Sequence, residues 1–159
     1  MHDTRAMLRH LLATLAYRTQ KALRDAPVSF GTFEAGAGVR TPAEMVRHMT
    51  AVMNYARGCF DDTPRTIEPL TDLHAEVERF HAVLAEVSAH LAAGAVPRGE
   101  TDAQLLQGPF ADALTHAGQL ALLRRLAGAP VPPESFVAAA IDAANVGMAQ
   151  PAPVRPKRE

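Results

Sequence analysis

The sequence predicts an all-α fold, a four-helix bundle with an additional short C-terminal helix, and three observations carry that reading. Alternating polar and apolar runs rich in Val, Ile and Thr are missing, whereas Ala and Leu recur at spacings of three and four. Helix-start signals precede several of these periodic stretches, and Gly or Pro follows them. The 159 residues suit one domain, and 48% apolar with 21% charged residues provide enough burial to offset the ordering of the chain. The reading assigns residues 1–147 to the helical domain and 148–159 to a disordered, Pro-rich tail.

The first helix is expected from Thr4 to Asp25, with Leu8, Leu11, Leu12, Leu15, Ala22 and Leu23 on one face and Pro27 closing it. A Gly-containing loop follows from Val28 to Arg40, and Phe30 and Phe33 are expected to pin it to the helices. Thr41-Pro42-Ala43-Glu44 combines a hydroxyl cap, proline at the first helical position and a carboxylate three residues after the cap. The second helix should therefore run to Phe60, with Met45, Val46, Met49, Val52, Met53, Ala56 and Phe60 inward and Arg47, Thr50, Asn54 and Arg57 opposite. After a turn holding Pro64 and Pro69, Thr71 can cap a third helix that buries Leu73, Val77, Phe80, Leu84, Val87 and Leu91 and stops near Gly94.

Thr101 to Gln104 repeats the capping-box pattern for a short helical piece, and Gly108-Pro109 is expected to break the chain before a fourth long helix from Pro109 to Leu126. Gly128 and Pro130 end that helix, and Glu134 to Val146 forms the last short one. Long helices of about 18–22 residues reach roughly 30 Å, and connectors of several residues allow antiparallel neighbours, while the long link between the first two helices equally permits a crossover.

Sixteen basic and 17 acidic residues leave a net charge of −1, so no strongly basic field exists to attract nucleic acid. A lone Cys59 excludes an internal disulfide and a four-thiolate zinc site, and fits a reducing cytoplasm. No long uncharged apolar window occurs, and Asp3, Arg5, Arg9 and His10 are spread through an N-terminus that lacks the layout of a secretory signal. The expected protein is cytoplasmic and has neither a membrane nor a nucleic-acid partner.

On the fourth helix, Asp112, His116 and Gln119 fall in one narrow stripe at spacings of four and three. Two ligand-type groups at i and i+4 can converge on one metal, but a third must come from elsewhere. His48 occupies the matching margin of the second helix, with Glu44 one turn before it. If those helices are neighbours, two imidazoles and a carboxylate would hold one divalent metal and leave positions open for water or substrate. Gln119, Glu44 and Tyr55 are the supporting candidates. The competing reading makes Asp112 a helix-start residue and His116 an ordinary polar residue at a bundle edge.

Arg40-Thr41-Pro42-Ala43-Glu44-Met45-Val46-Arg47-His48-Met49, Asp112-Ala113-Leu114-Thr115-His116-Ala117-Gly118-Gln119 and Leu123-Arg124-Arg125-Leu126-Ala127-Gly128 occur in an order that resembles the DinB-like superfamily of bacterial four-helix metalloproteins. That superfamily includes YfiT-type metal hydrolases and thiol-dependent transferases. The resemblance spans Leu8 to Pro133. It implies a metal held by His48, Asp112 and His116, with Asp112 standing where the family usually has the first histidine of a pair. Zinc or nickel is favoured, with manganese or iron as alternatives. The implied function is metal-dependent thiol transfer or hydrolysis on a small molecule, with a low-molecular-weight thiol as one candidate partner and homodimerisation common among relatives. The alternative is a non-catalytic bundle that has lost its metal site and serves as a small-ligand-binding or stress-related dimer module.

Remaining candidates receive structural readings. His74 and His81 are expected at a surface or edge of the third helix, with a role as extra ligand or proton carrier the lesser option. Cys59 and the Met45, Met49 and Met53 series are taken as packing, and Arg124 and Arg125 as charge complements to a helix C-terminus. The basic tail Arg155-Pro156-Lys157-Arg158 is taken as a solvated terminus.

Overall fold

The computed structural model describes residues 2–62 and 66–156, with side chains from residue 4. Among them the secondary structure is wholly helical: α1 (His2–Leu23), a 3₁₀ turn (Val28–Thr32), α2 (Pro42–Gly58), α3 (Leu73–Ala92), α4 (Asp102–Leu105), a π-helical turn (Leu106–Phe110), α5 (Ala111–Leu126) and a 3₁₀ turn (Phe136–Ala138). Pro64 lies outside the described residues. Among the described residues no helix is long and apolar enough to cross a membrane. The α1 helix packs against α3 and α5, and α2 packs against the same two. Leu12 and Leu15 of α1, Met49 and Met53 of α2, Phe80 and Leu84 of α3, and Leu105, Phe110 and Leu120 of the last rod meet in one core.

Local chemistry explains most boundaries. Thr41 Oγ1 accepts from Glu44 N at 3.3 Å while Glu44 Oε2 accepts from Thr41 N at 2.8 Å, a reciprocal box that fixes where α2 begins. Thr101 and Gln104 make the same exchange at α4. The α3 cap is Asp72, whose Oδ1 accepts from Ala75 N at 2.9 Å; Thr71 stands one residue too early. At the other end of α3, Gly94 at φ +72° allows Ala95 N to reach His90 O at 3.0 Å, closing the last turn. The Val28–Arg40 loop is anchored by buried Phe30 and half-buried Phe33.

Several expectations are corrected. Gly108-Pro109 does not break the chain: Pro109 sits within the π turn, which joins α4 to α5 in one continuous run of helix. A π turn's wider hydrogen-bond spacing accommodates a residue that lacks an N–H and crowds the preceding turn. The final helix expected from Glu134 to Val146 is reduced to the single 3₁₀ turn Phe136–Ala138. Tertiary partners hold this segment instead. The Tyr17 hydroxyl donates to Glu134, Lys21 Nζ lies 3.0 Å from Glu134 Oε2 and bonds Pro132 O at 2.7 Å, and the Arg18 guanidinium covers the Phe136 ring at 3.7 Å. Burial raises the Glu134 carboxyl, but the Tyr17 and Lys21 donors outweigh it and hold the group below the ordinary carboxylate range. Burial and the same carboxylate push the Tyr17 hydroxyl up to about 12.

The segment read as a disordered tail also touches the body: Pro151 O accepts from Arg24, Val154 O accepts from Ser135 N, and Met148 packs against the core. Lys157, Arg158 and Glu159 lie outside the described residues. Thr50 and Arg57, expected on the outer face of α2, are buried. Thr50 Oγ1 bonds Val46 O at 2.9 Å, and Arg57 bonds Glu86 at 2.8 Å and also Asn54. Arg124 is likewise buried and donates to Ala129 O, Ala22 O and Arg24 O, so it ties the C-terminal ends of α1 and α5 together.

His81 is also corrected. It is interior, with Nδ1–H donating to Val146 O at 2.7 Å and Nε2 accepting from the Gln20 amide at 2.9 Å. Burial holds this imidazole below its ordinary 6.5 despite the Val146 bond. Between 6.5 and the lower folded value the unfolded chain binds more protons, so stability contributed by neutral His81 is lost as pH falls through that window. We expect His81→Gln to flatten the acid limb of stability against pH by up to about 1.4 kcal/mol per pH unit. Urea titrations of both proteins between about pH 7 and 5 would read this, and parallel curves would refute it.

Candidate metal centre

The Thr41 capping box sets the phase of α2, and that phase carries His48 onto the side facing α5. On α5, one helical turn separates Asp112 from His116, and Gln119 follows three residues later. The two helices pack together, so the three expected ligands converge. His116 Nε2 lies 3.5 Å from Asp112 Oδ1, His48 Nε2 lies 3.9 Å from Asp112 Oδ2, and all three donor atoms fall within 4.8 Å of one another. The imidazoles meet edge to face at 4.7 Å between centroids.

The surroundings prepare these atoms as ligands. His116 Nδ1 lies 2.6 Å from Gln119 Oε1, an atom that can only accept, so Nδ1 carries a proton and Nε2 is the ring atom that faces Asp112 and is available as the ligand atom. Burial, then the positive Arg40 and neighbouring His116, hold His48 below its ordinary 6.5 against the opposing pull of Asp112. His48 is therefore neutral at pH 7. Asp112 is half exposed, which leaves an approach from solvent. It is the second residue of α5 and the helix runs on before it through the π turn, so it caps nothing.

The donor set fits a divalent transition metal. Two imidazole nitrogens and one carboxylate suit zinc, nickel, manganese or iron better than a set made only of oxygens. Bonds of about 2.0–2.1 Å in a tetrahedral site require donors about 3.3 Å apart, so the Asp112 pairs at 3.5 and 3.9 Å are already close to that spacing and the widest donor pair closes by at most about 1.5 Å.

The other sequence candidates fall elsewhere. Glu44 lines the same hollow as His48, but its carboxylate is committed to the capping box, and bonds from the Thr41 backbone and hydroxyl hold it below the usual range. Tyr55 is exposed and gives its hydroxyl to Glu100, two helical turns beyond His48. His74 pairs with Glu78 at 3.3 Å on the surface. Cys59 is buried and free, and burial pushes its thiol up, away from nucleophilic use.

Arg40 received no role from the sequence, yet it acts on both His48 and Glu44. Its position immediately before the Thr41 cap was the available signal. Gly36, Ala37 and Gly38 have φ of +84°, +52° and +74°, a left-handed run that shapes the loop carrying Val39 and Arg40. For Ala37 this conformation costs about 1–2 kcal/mol. No family model, curated protein or solved structure matches the chain.

Proposed function

We propose that this chain is a DinB-like four-helix bundle of the bacterial cytoplasm, holding one divalent transition metal through His48, Asp112 and His116. The observation that carries the reading is the convergence of those donor atoms within 4.8 Å across two packed helices. The order of sequence motifs supports the family assignment. Zinc or nickel is favoured.

When bound, such a metal supplies Lewis-acid polarisation and makes an anion of a water or thiol at neutral pH. The chain's own residues set the conditions. Gln119 fixes the His116 tautomer, Asp112 contributes negative charge against the cation, and neutral His48 offers its lone pair without prior loss of a proton. Three protein ligands leave coordination positions open, the arrangement of catalytic rather than structural sites. The activity we propose is metal-assisted transfer of a low-molecular-weight thiol to an electrophile, or hydrolysis of a small molecule.

Elemental analysis of protein purified without added metal, followed by loading with zinc, nickel, manganese or iron, tests this. About one equivalent of a transition metal per chain is expected, as three-ligand sites bind a single ion. A chain that is metal-free and refuses all four ions would overturn the reading in favour of a non-catalytic bundle.

A further inference from the structure

Two surface hollows, one lined by His116 and the other by His48, share Gly38, Val39 and Arg40 as a common rim. The hollow on the His116 side is about 550 Å³ and is walled by Val39, Met45, Leu122, Leu123 and Leu126. Leu122 and Leu126 are 54% and 57% exposed, an unusual investment of apolar surface beside a polar cluster. The hollow on the His48 side is about 510 Å³ and is lined by Arg40, Arg47 and Glu44. Two of these charges are already used: Arg47 faces Glu76 at 3.6 Å, and Glu44 closes the Thr41 capping box. Arg40 is exposed and makes no hydrogen bond or ion pair among the described residues.

We propose that the site accepts a small amphipathic anion, whose apolar portion lies along Val39, Leu122 and Leu126 and whose anionic group is held by Arg40. Arg40 rims both hollows and so stands beside the apolar wall, and the hollow they share is also lined by His116 and Gln119, so a ligand that engages both lies next to a metal donor. The guanidinium matches a planar carboxylate or a phosphoryl or sulfonate oxygen pair, and the leucine wall offers area but no hydrogen-bond donors. This substrate class rests on the metal-site reading for its chemistry, whereas its recognition rests on Arg40 and the apolar wall alone.

The test uses octanesulfonate, a weak metal ligand, titrated calorimetrically into the full chain in metal-loaded and chelator-treated forms. Binding is expected in both forms, with methanesulfonate and 1-octanol each much weaker. Arg40→Gln should weaken octanesulfonate about fivefold, a charge-assisted contact discounted for exposure, and Leu122→Asp by more. Met7→Asp, in the separate apolar groove on α1, should leave binding unchanged. The proposal is overturned if Arg40→Gln or Leu122→Asp binds like the parent, if octanol binds as well as the sulfonate, or if Met7→Asp removes binding. Arg40-dependent binding by a chain that takes up no metal would sink the metal reading alone. Metal uptake without Arg40 dependence would sink this proposal alone.

Discussion

Replacing Glu76 with Ala is expected to cost about 3 kcal/mol of stability, the range in which one partner of a buried ion pair is removed. Glu76 is 1% exposed and gathers three donors. Leu70 N bonds its Oε1 at 2.9 Å, Arg47 approaches the same oxygen at 3.6 Å, and Arg79 bonds Oε2. It thereby joins α2, α3 and the segment leading into α3. The alanine variant takes the carboxylate from two guanidiniums that are each about three-quarters buried, at 26% and 22% exposure, leaves Arg79 with only its bond to Glu68 O, and orphans the Leu70 amide. Glu76→Gln keeps an acceptor for Leu70 and should fall between. Urea unfolding should show the lower midpoint with an unchanged slope, and a melting temperature lower by about 6–12 °C for a chain of this size. A shift within about 0.5 kcal/mol of the parent would show that the cluster contributes nothing net.

His116→Ala is expected to abolish stabilisation by added metal. A ligand at a hundred times its dissociation constant raises stability by about 2.7 kcal/mol, so thermal melts with and without zinc or nickel should separate for the parent and coincide for the variant. His116 is the ligand of choice because it is nearly buried and its tautomer is set by Gln119, so no mobile neighbour can replace it. Gln119→Leu should retain binding but weaken it by about 10–100-fold, the usual effect of removing a group that orients a ligand. His81→Gln is the histidine control, since that α3 ring is saturated by Gln20 and Val146 away from the ligand group, and the variant should leave metal binding intact. Equal metal shifts in the parent and His116→Ala would refute the assigned ligand set.

How much of this was legible beforehand depended on the range of the interactions involved. The Thr41 and Thr101 capping boxes, the stop at Gly94 and the Asp112, His116 and Gln119 stripe all act within about one helical turn, so spacing alone exposes them. Partners far apart in sequence left no such trace. Thr50, Arg57 and His81 looked like outer-face residues by polarity, yet each is buried and held by hydrogen-bond partners. The Ala-rich stretch after Glu134 had helical propensity, but ties to Tyr17, Lys21 and Arg18 on α1 outweighed it. The neighbouring placement of His48 had to be assumed from the sequence, and the packing of α2 on α5 supplies it.

The widened turn around Pro109 has a consequence for how this molecule can vary. Thr101 indexes the start of the last rod, whereas the number of residues between Leu106 and Phe110 decides which way Asp112 and His116 point. Losing one codon there would rewind the backbone and swivel one half of the rod by about 100° against the other. A small in-frame deletion at a position that touches no ligand would then dismantle the ligand set while every coordinating residue stayed in the chain.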